Sequence, residues 1–280
     1  MQIEVNGLSY VYSEGLPFEQ TALKDISFTI PEGSFTAIIG HTGSGKSTLV
    51  QHLNGLIKPQ CGSVKIGDLD AASDGAAIRR KVGLVFQYPE YQLFEETVLK
   101  DVEFGPNNLG LDAEEEAKKA LDLVGISEDK YEVSPFALSG GEKRRVAIAG
   151  VLAMNPEVLI LDEPASGLDP KGHRDIMDMI RRIKEERGIS VVLVSHNMED
   201  VAELADQLLV MHNGELVMQG APAEIFIHCD ALESLGLSSP AGVRFLKSLK
   251  DKGFGDIKIN KLTMDETADE IARVFRGKQK

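Results

Sequence analysis

Gly40, His41, Thr42, Gly43, Ser44, Gly45, Lys46 and Ser47 fit the pattern GxxxxGK[ST], directly after the apolar run Phe35 to Ile39 and directly before a helix-forming stretch. This order of residue types binds phosphate. The glycines let the chain turn tightly, so that backbone N–H groups point at phosphate oxygens, and the following helix, which begins with Ser47 and Thr48, adds the positive end of its dipole. Lys46 neutralises the outer phosphates, and Ser47 offers a hydroxyl to Mg²⁺. A carboxylate at the end of a distant strand should complete the metal environment. Asp162 closes the run VLILD and fits that place; Glu163 follows it. Two adjacent carboxylates can divide the labour, one holding metal and the other orienting or deprotonating water, which makes Glu163 the expected catalytic base.

The elements that must position these residues alternate. Ile3 to Tyr12, Ile26 to Ile30 and Phe35 to Ile39 read as strands; Ser47 to Leu56 reads as a helix, and Ser63 to Ile66 and Val82 to Phe86 as strands again. Ala113 to Val124 and Ser139 to Met154 carry helical spacing and suggest a helical insertion. Val158 to Leu161 and Ser190 to Val194, separated by the helix-like Asp175 to Glu186, give the alternation of a parallel sheet covered by helices. The expected class is α/β. Beyond Pro222 the pattern turns helical, and Thr263 with Glu266 forms a capping box ahead of Ala268, Ile271 and Phe275.

Thirty basic against forty-four acidic residues leave a net charge of −14, which repels a phosphate backbone and disfavours nucleic acid as a partner. The basic trio Lys143, Arg144 and Arg145 reads as a solvated helix face on an acidic protein. Cys61 and Cys229 suggest neither a disulfide framework nor a zinc site, which fits a reducing cytoplasm. No apolar run approaches the roughly 18 to 20 residues of a membrane span. The opening MQIEVNGLSYVY lacks the charged and apolar pattern of an export signal.

Leu138-Ser-Gly-Gly-Glu142, upstream of Asp162, resembles the signature of ABC proteins. A hydroxyl (Ser139), two glycines (Gly140, Gly141) and a helix N-terminus suit an anion. The resemblance implies that this segment faces the γ-phosphate held by another subunit, so that two chains sandwich two ATP molecules. In the family's order, Gln87 resembles the Q-loop residue near Mg²⁺ and water, Asp169 in SGLD the D-loop aspartate, His196 the switch histidine that meets the γ-phosphate, and Tyr12 the aromatic that stacks on adenine. Tyr10 competes for that last place, and Asp169 also suits the N-cap of a helix starting at Pro170. The implied fold is a P-loop ABC ATPase: a mixed-sheet nucleotide-binding core with an antiparallel β subdomain and a helical subdomain. The expected domains are 1–221, with the helical part at about 88–155, and a C-terminal extension at 222–280 that adds dimer contacts.

AIIGHTGSGKSTLVQHLNGLIKP, VFQYPEYQLFEETVLKDVEFGP and SPFALSGGEKRRVAIAGVLAMNPEVLILDEP are similar to energy-coupling factor ATPases, and the likeness covers the whole chain. The N-terminal stretch and the GHTGSGK loop look more like the second of the two paralogous ATPases. The family implies uptake of a vitamin or a transition-metal ion, with the chain peripheral on the cytoplasmic face of the cell membrane. Its expected partners are a paralogous ATPase or a second copy of itself, a transmembrane coupling protein, and indirectly a substrate-binding membrane subunit. Tyr88, Tyr91, Leu93 and Phe94, among acidic residues such as Glu90 and Glu95, suit docking onto a basic cytoplasmic helix. Glu142 stands where many ABC proteins have glutamine, and Gly167 where many have alanine. An ordinary ABC importer or exporter ATPase is the alternative; a soluble ABC clamp fits less well, since neither a coiled-coil insertion nor a second cassette is visible.

Overall fold

Three strands made almost wholly of Val, Leu and Ile, Val82–Val85, Val158–Asp162 and Ser190–Val194, lie side by side and parallel, with Val85 opposite Leu161 and Asp162 opposite Val194. Every residue in them is buried, as expected for parallel strands covered on both faces. The computed structural model describes residues 1–254 and 256–277, which divide into two compact units.

The first unit comprises residues 1–34 and 47–194. Besides the parallel strands it holds an antiparallel sheet in which Ile3–Tyr12 pairs with Gln20–Ile30 on one side and Cys61–Ile66 on the other. The helices Val98–Leu109, Ala113–Leu123 and Gly140–Leu152 pack on one another. Two of them match the sequence reading closely. The first has no counterpart in the sequence reading: it carries Pro106 in its interior and runs through to an αL cap at Gly110.

The second unit comprises residues 35–46 and 195–280. Phe35–Ile39 runs parallel to Gln207–His212, which turns through Asn213 and Gly214, both at positive φ, into the antiparallel strand Glu215–Gly220. That two-residue Asn-Gly turn is the form that follows strand twist. Residues beyond Pro222 share the unit's core, where Phe226, Leu232 and Val243 pack with Leu208 and Val210. The capping box at Thr263 forms as expected: its hydroxyl accepts from Glu266 N at 3.2 Å while Glu266 accepts from Thr263 N at 3.3 Å. Among the described residues no helix is long and apolar enough to cross a membrane.

Candidate functional site

The glycine loop leaves the strand Phe35–Ile39 at Gly40, where an added Cβ would strike the carbonyl oxygen of Met211. Only glycine fits. Gly43 and Gly45 take φ of +82° and +101°, so both spend the conformational freedom that a tight phosphate loop needs. The hairpin turn props the loop, because Gly214 N donates to Ser44 O at 3.1 Å. Lys46 is 6% exposed and its Nζ donates to the carbonyls of Gly40 (2.6 Å) and His41 (3.0 Å), which holds the charge inside the loop. The His41 ring meets His212 edge to face at 4.9 Å.

The helix Lys46–Leu53 follows the loop in the chain. Ser47 Oγ donates to Asp162 Oδ2 at 3.1 Å, and Asp162 is 8% exposed. A hydroxyl and a buried carboxylate are hard oxygen donors, the kind Mg²⁺ selects. Tyr12, partly exposed, brings its OH within 3.3 Å of Thr48 Oγ1. Tyr10 instead stacks edge to face on Tyr12 and on His52, both at 4.9 Å. Burial pushes the His52 imidazole below its ordinary range.

Gln87 and Glu163 lie just past the C-terminal ends of adjacent parallel strands, where open α/β sheets place their ligands. Gln87 Nε2 donates to Glu163 Oε2 at 3.1 Å. Glu163 has φ +52°, an αL conformation that costs a non-glycine residue about 1–2 kcal/mol. Its N–H donates to Val194 O at 3.0 Å and its carbonyl accepts from Ser166 N at 3.1 Å, so neighbouring backbone fixes the conformation. Sequence-distant Ser47, Gln87, Asp162 and Glu163 therefore converge in two hydrogen-bonded pairs, with Asp162 and Glu163 joined through the chain.

Ser139, Gly140 and Gly141 stand at the N-terminus of the helix Gly140–Leu152. The Ser139 hydroxyl accepts from Glu142 N, and Glu142 accepts in turn from Ser139 N at 2.9 Å. Lys130 and Ser139 hold the Glu142 carboxyl down at about 2, the ion pair with Lys130 being the larger influence. A Cβ on Gly140 or Gly141 would meet nothing within 4 Å, and neither has positive φ. Packing within the chain does not demand glycine there. Asp169 caps the helix Pro170–Arg187 by accepting from Gly172 N at 2.8 Å, as the N-cap reading expects. His196 is exposed, between the strand Ser190–Val194 and Asn197, which caps the helix Met198–Leu204.

Arg144 corrects the expectation of a solvated basic face. Its side chain is 2% exposed and forms a bidentate pair with Glu90, Nε to Oε2 at 3.1 Å and Nη2 to Oε1 at 2.8 Å. Nη1 also donates to the carbonyls of Pro164 (3.2 Å) and Ser166 (2.6 Å). Its place among Val146, Ile148 and Ala149 on a largely buried helix is the one sequence signal that could have marked it.

The family described as ABC transporter matches residues 23–166. The energy-coupling factor transporter ATP-binding protein EcfA2 of Clostridium tetani is 51% identical over 285 residues, covering 99% of this chain and 99% of that protein. Among solved structures, cbiO1 from Clostridium perfringens, part of the ABC transporter complex cbiONQ, matches with a TM-score of 0.73 and 39% identity, covering 83% of this chain and 93% of that one. A dimeric ATP-binding cassette in a post-hydrolysis state, bound to ADP and Pi, matches with a TM-score of 0.70 and 30% identity over 78% of this chain and 98% of that one.

Proposed function

The chain belongs to the energy-coupling factor transporter ATP-binding family of ABC proteins, and from that premise we propose how its residues bind ATP, attack it and pass on the energy. It is an ATP-binding, ATP-hydrolysing transporter subunit. In our reading Gly40 to Gly45 wrap the phosphates with backbone N–H groups, Lys46 turns its ammonium to the outer phosphates, and Thr48 completes the loop's contacts. Tyr12, more exposed than Tyr10 and beside Thr48, stacks on adenine. Ser47 and Asp162, with Gln87, would hold Mg²⁺, which when bound neutralises charge on the phosphates.

Glu163 is the base. The observation that carries this is its αL backbone joined to the Gln87 hydrogen bond: strain of this kind persists where the surroundings over-determine it, and it collects at active sites. His196 contacts the γ-phosphate, and Asp169 reaches across the dimer in addition to capping its helix. Gly140 and Gly141, small without an internal reason, leave room with Ser139 for nucleotide on a second subunit. A dimer of this chain with a paralogous ATPase, or with itself, completes the site.

The transmembrane coupling protein docks on the segment after Gln87. A groove of about 330 Å³ opens there, lined by Phe94, Phe104, Leu109, Val151 and Met154, and Phe94 and Phe104 meet edge to face at 5.0 Å while both remain exposed. An apolar groove with Asp101 at its rim suits a helix with basic flanks. The chain then works peripherally at the cytoplasmic face, and the cargo, a vitamin or a transition-metal ion, passes through membrane subunits it need not touch. Glu163→Gln tests the core of this reading: ATP should still bind while hydrolysis slows by about 10²- to 10⁴-fold. Near-normal turnover would take Glu163 out of the base role.

A further inference from the structure

We infer that Arg144 is a positioning residue for hydrolysis, one that fixes the Gln87 loop and the segment after Glu163 to each other, so that whatever shifts the surface segment 88–92 shifts the groups beside the attacking water. The inference rests on the roles of Gln87 and Glu163 proposed above. The hydrogen bonds close a circuit. From Arg144 one path runs through the Glu90 carboxylate and three residues of chain to Gln87, and through the Gln87 amide to Glu163. The other runs through the carbonyls of Pro164 and Ser166, one and three residues beyond Glu163. Both segments contain a residue in the αL region, Tyr88 at φ +56° and Glu163 at φ +52°. Such conformations hold only where other contacts enforce them, and the guanidinium touches the chain on the far side of each.

The chemistry is specific to arginine. A planar guanidinium can grip one carboxylate with two N–H groups and still aim a third nitrogen at two carbonyls, whereas a lysine ammonium is a single charge point with no fork. The buried end of this circuit is Arg144; its exposed end is the surface segment, where Tyr91 is 83% and Tyr88 41% exposed. Force applied by a partner at those tyrosines thus has a short covalent and hydrogen-bonded route to Gln87 and Glu163. Arg144 touches neither of them directly and acts through the two loops.

A buried ion pair can also be merely structural, and such a pair can often be replaced by apolar residues without loss. The full-length Arg144→Met, Glu90→Met and combined variants, measured for thermal midpoint, ATP affinity, kcat and KM, separate the two roles. The positioning role expects the combined variant to regain the wild-type midpoint and a KM within about twofold, with kcat still lowered by about 10- to 100-fold. Recovery of kcat along with the midpoint overturns it. Should the combined variant fail to fold, Arg144→Lys is compared in the wild-type and Gln87→Ala backgrounds. A kcat loss that largely disappears in the Gln87→Ala background supports action through Gln87, and equal losses in both overturn it. Glu163→Gln, assayed in parallel, reports on the base assignment separately.

Discussion

Ser47 Oγ and Asp162 Oδ2 meet at 3.1 Å although 115 positions separate them in the chain. The hydroxyl and the carboxylate lie where the helix after the glycine loop begins and where an apolar strand ends. Asp162→Asn keeps the shape and removes the charge that the proposed Mg²⁺ site would use. The Mg²⁺ concentration for half-maximal ATPase activity should rise by roughly 10- to 100-fold. Titration of Mg²⁺ at fixed ATP measures it, and an unchanged half-saturation point would place the metal elsewhere.

Glu142 gives a pH dependence with a definite sign. Its carboxyl is held at about 2, against an ordinary 4.5, by Lys130 first and Ser139 second. A carboxyl with a lowered folded-state value stabilises the fold when ionised, and that contribution is complete above the ordinary value and lost as pH falls toward the folded one. Glu142→Gln retains a side chain able to close the capping box but loses the ion pair. The variant should melt below the wild type at neutral pH, and the gap should close between about 4.5 and about 2. Thermal midpoints across that range test it; a gap independent of pH would mean that the ion pair with Lys130 adds nothing.

The C-terminal residues are proposed to add dimer contacts, and their packing decides how to test that. Cutting at Gly220 would remove Phe226, Leu232 and Val243 from the core they share with Leu208 and Val210, so loss of association would follow from unfolding alone. Phe245, 52% exposed, and Phe275, 47% exposed, lie outside that core, and the Phe275 ring meets Phe254 at 5.5 Å. Phe245→Glu with Phe275→Glu should weaken subunit association by about tenfold, the loss expected for roughly 1.4 kcal/mol of apolar contact, and leave ATP affinity unchanged. Sedimentation and nucleotide titration measure both. Unchanged association would move the dimer contacts to other surfaces.

The parts of this protein legible in the sequence are those where one short stretch carries its own signal. The run VLILD is a strand, GHTGSGKS is a loop entering a helix, and Thr263 with Glu266 forms its capping box, because each depends on neighbours a few residues away. The helix Val98–Leu109 is absent from the sequence reading, and it carries a proline, Pro106, in its interior, where helices rarely do. Arg144 was misread for a different reason. Its burial is set by Glu90 and by the carbonyls of Pro164 and Ser166, which approach only once the sheet and its loops are assembled. Charge counting along one helix has no access to that. Nor could it reveal the Gln87–Glu163 hydrogen bond or the αL backbone of Glu163.

Glu90 and Glu95 look equivalent in sequence as acidic residues for a basic partner, but they differ in place. The Glu90 carboxylate is committed to Arg144, and its reversal to lysine would set two cations together in a buried pocket, breaking the pair at a cost of about 3–5 kcal/mol. A loss of partner binding in that variant would not report on docking. The groove residues do. Phe94 and Phe104 are both exposed and stack edge to face, while Asp101 accepts from the backbone N–H groups of Phe94 (2.8 Å) and Glu95 (2.9 Å), which fixes the rim. Phe94→Asp leaves those backbone bonds in place and puts a charge into the apolar floor. Recovery of the membrane coupling protein in a detergent pull-down should fall by about tenfold or more, the effect of losing a central aromatic anchor, while ATP binding by the isolated chain stays unchanged. Glu95→Lys should produce a smaller loss that shrinks as salt is raised, since a charge at the rim acts through screened attraction. Full recovery of the membrane subunit with both variants would place the docking surface away from this groove.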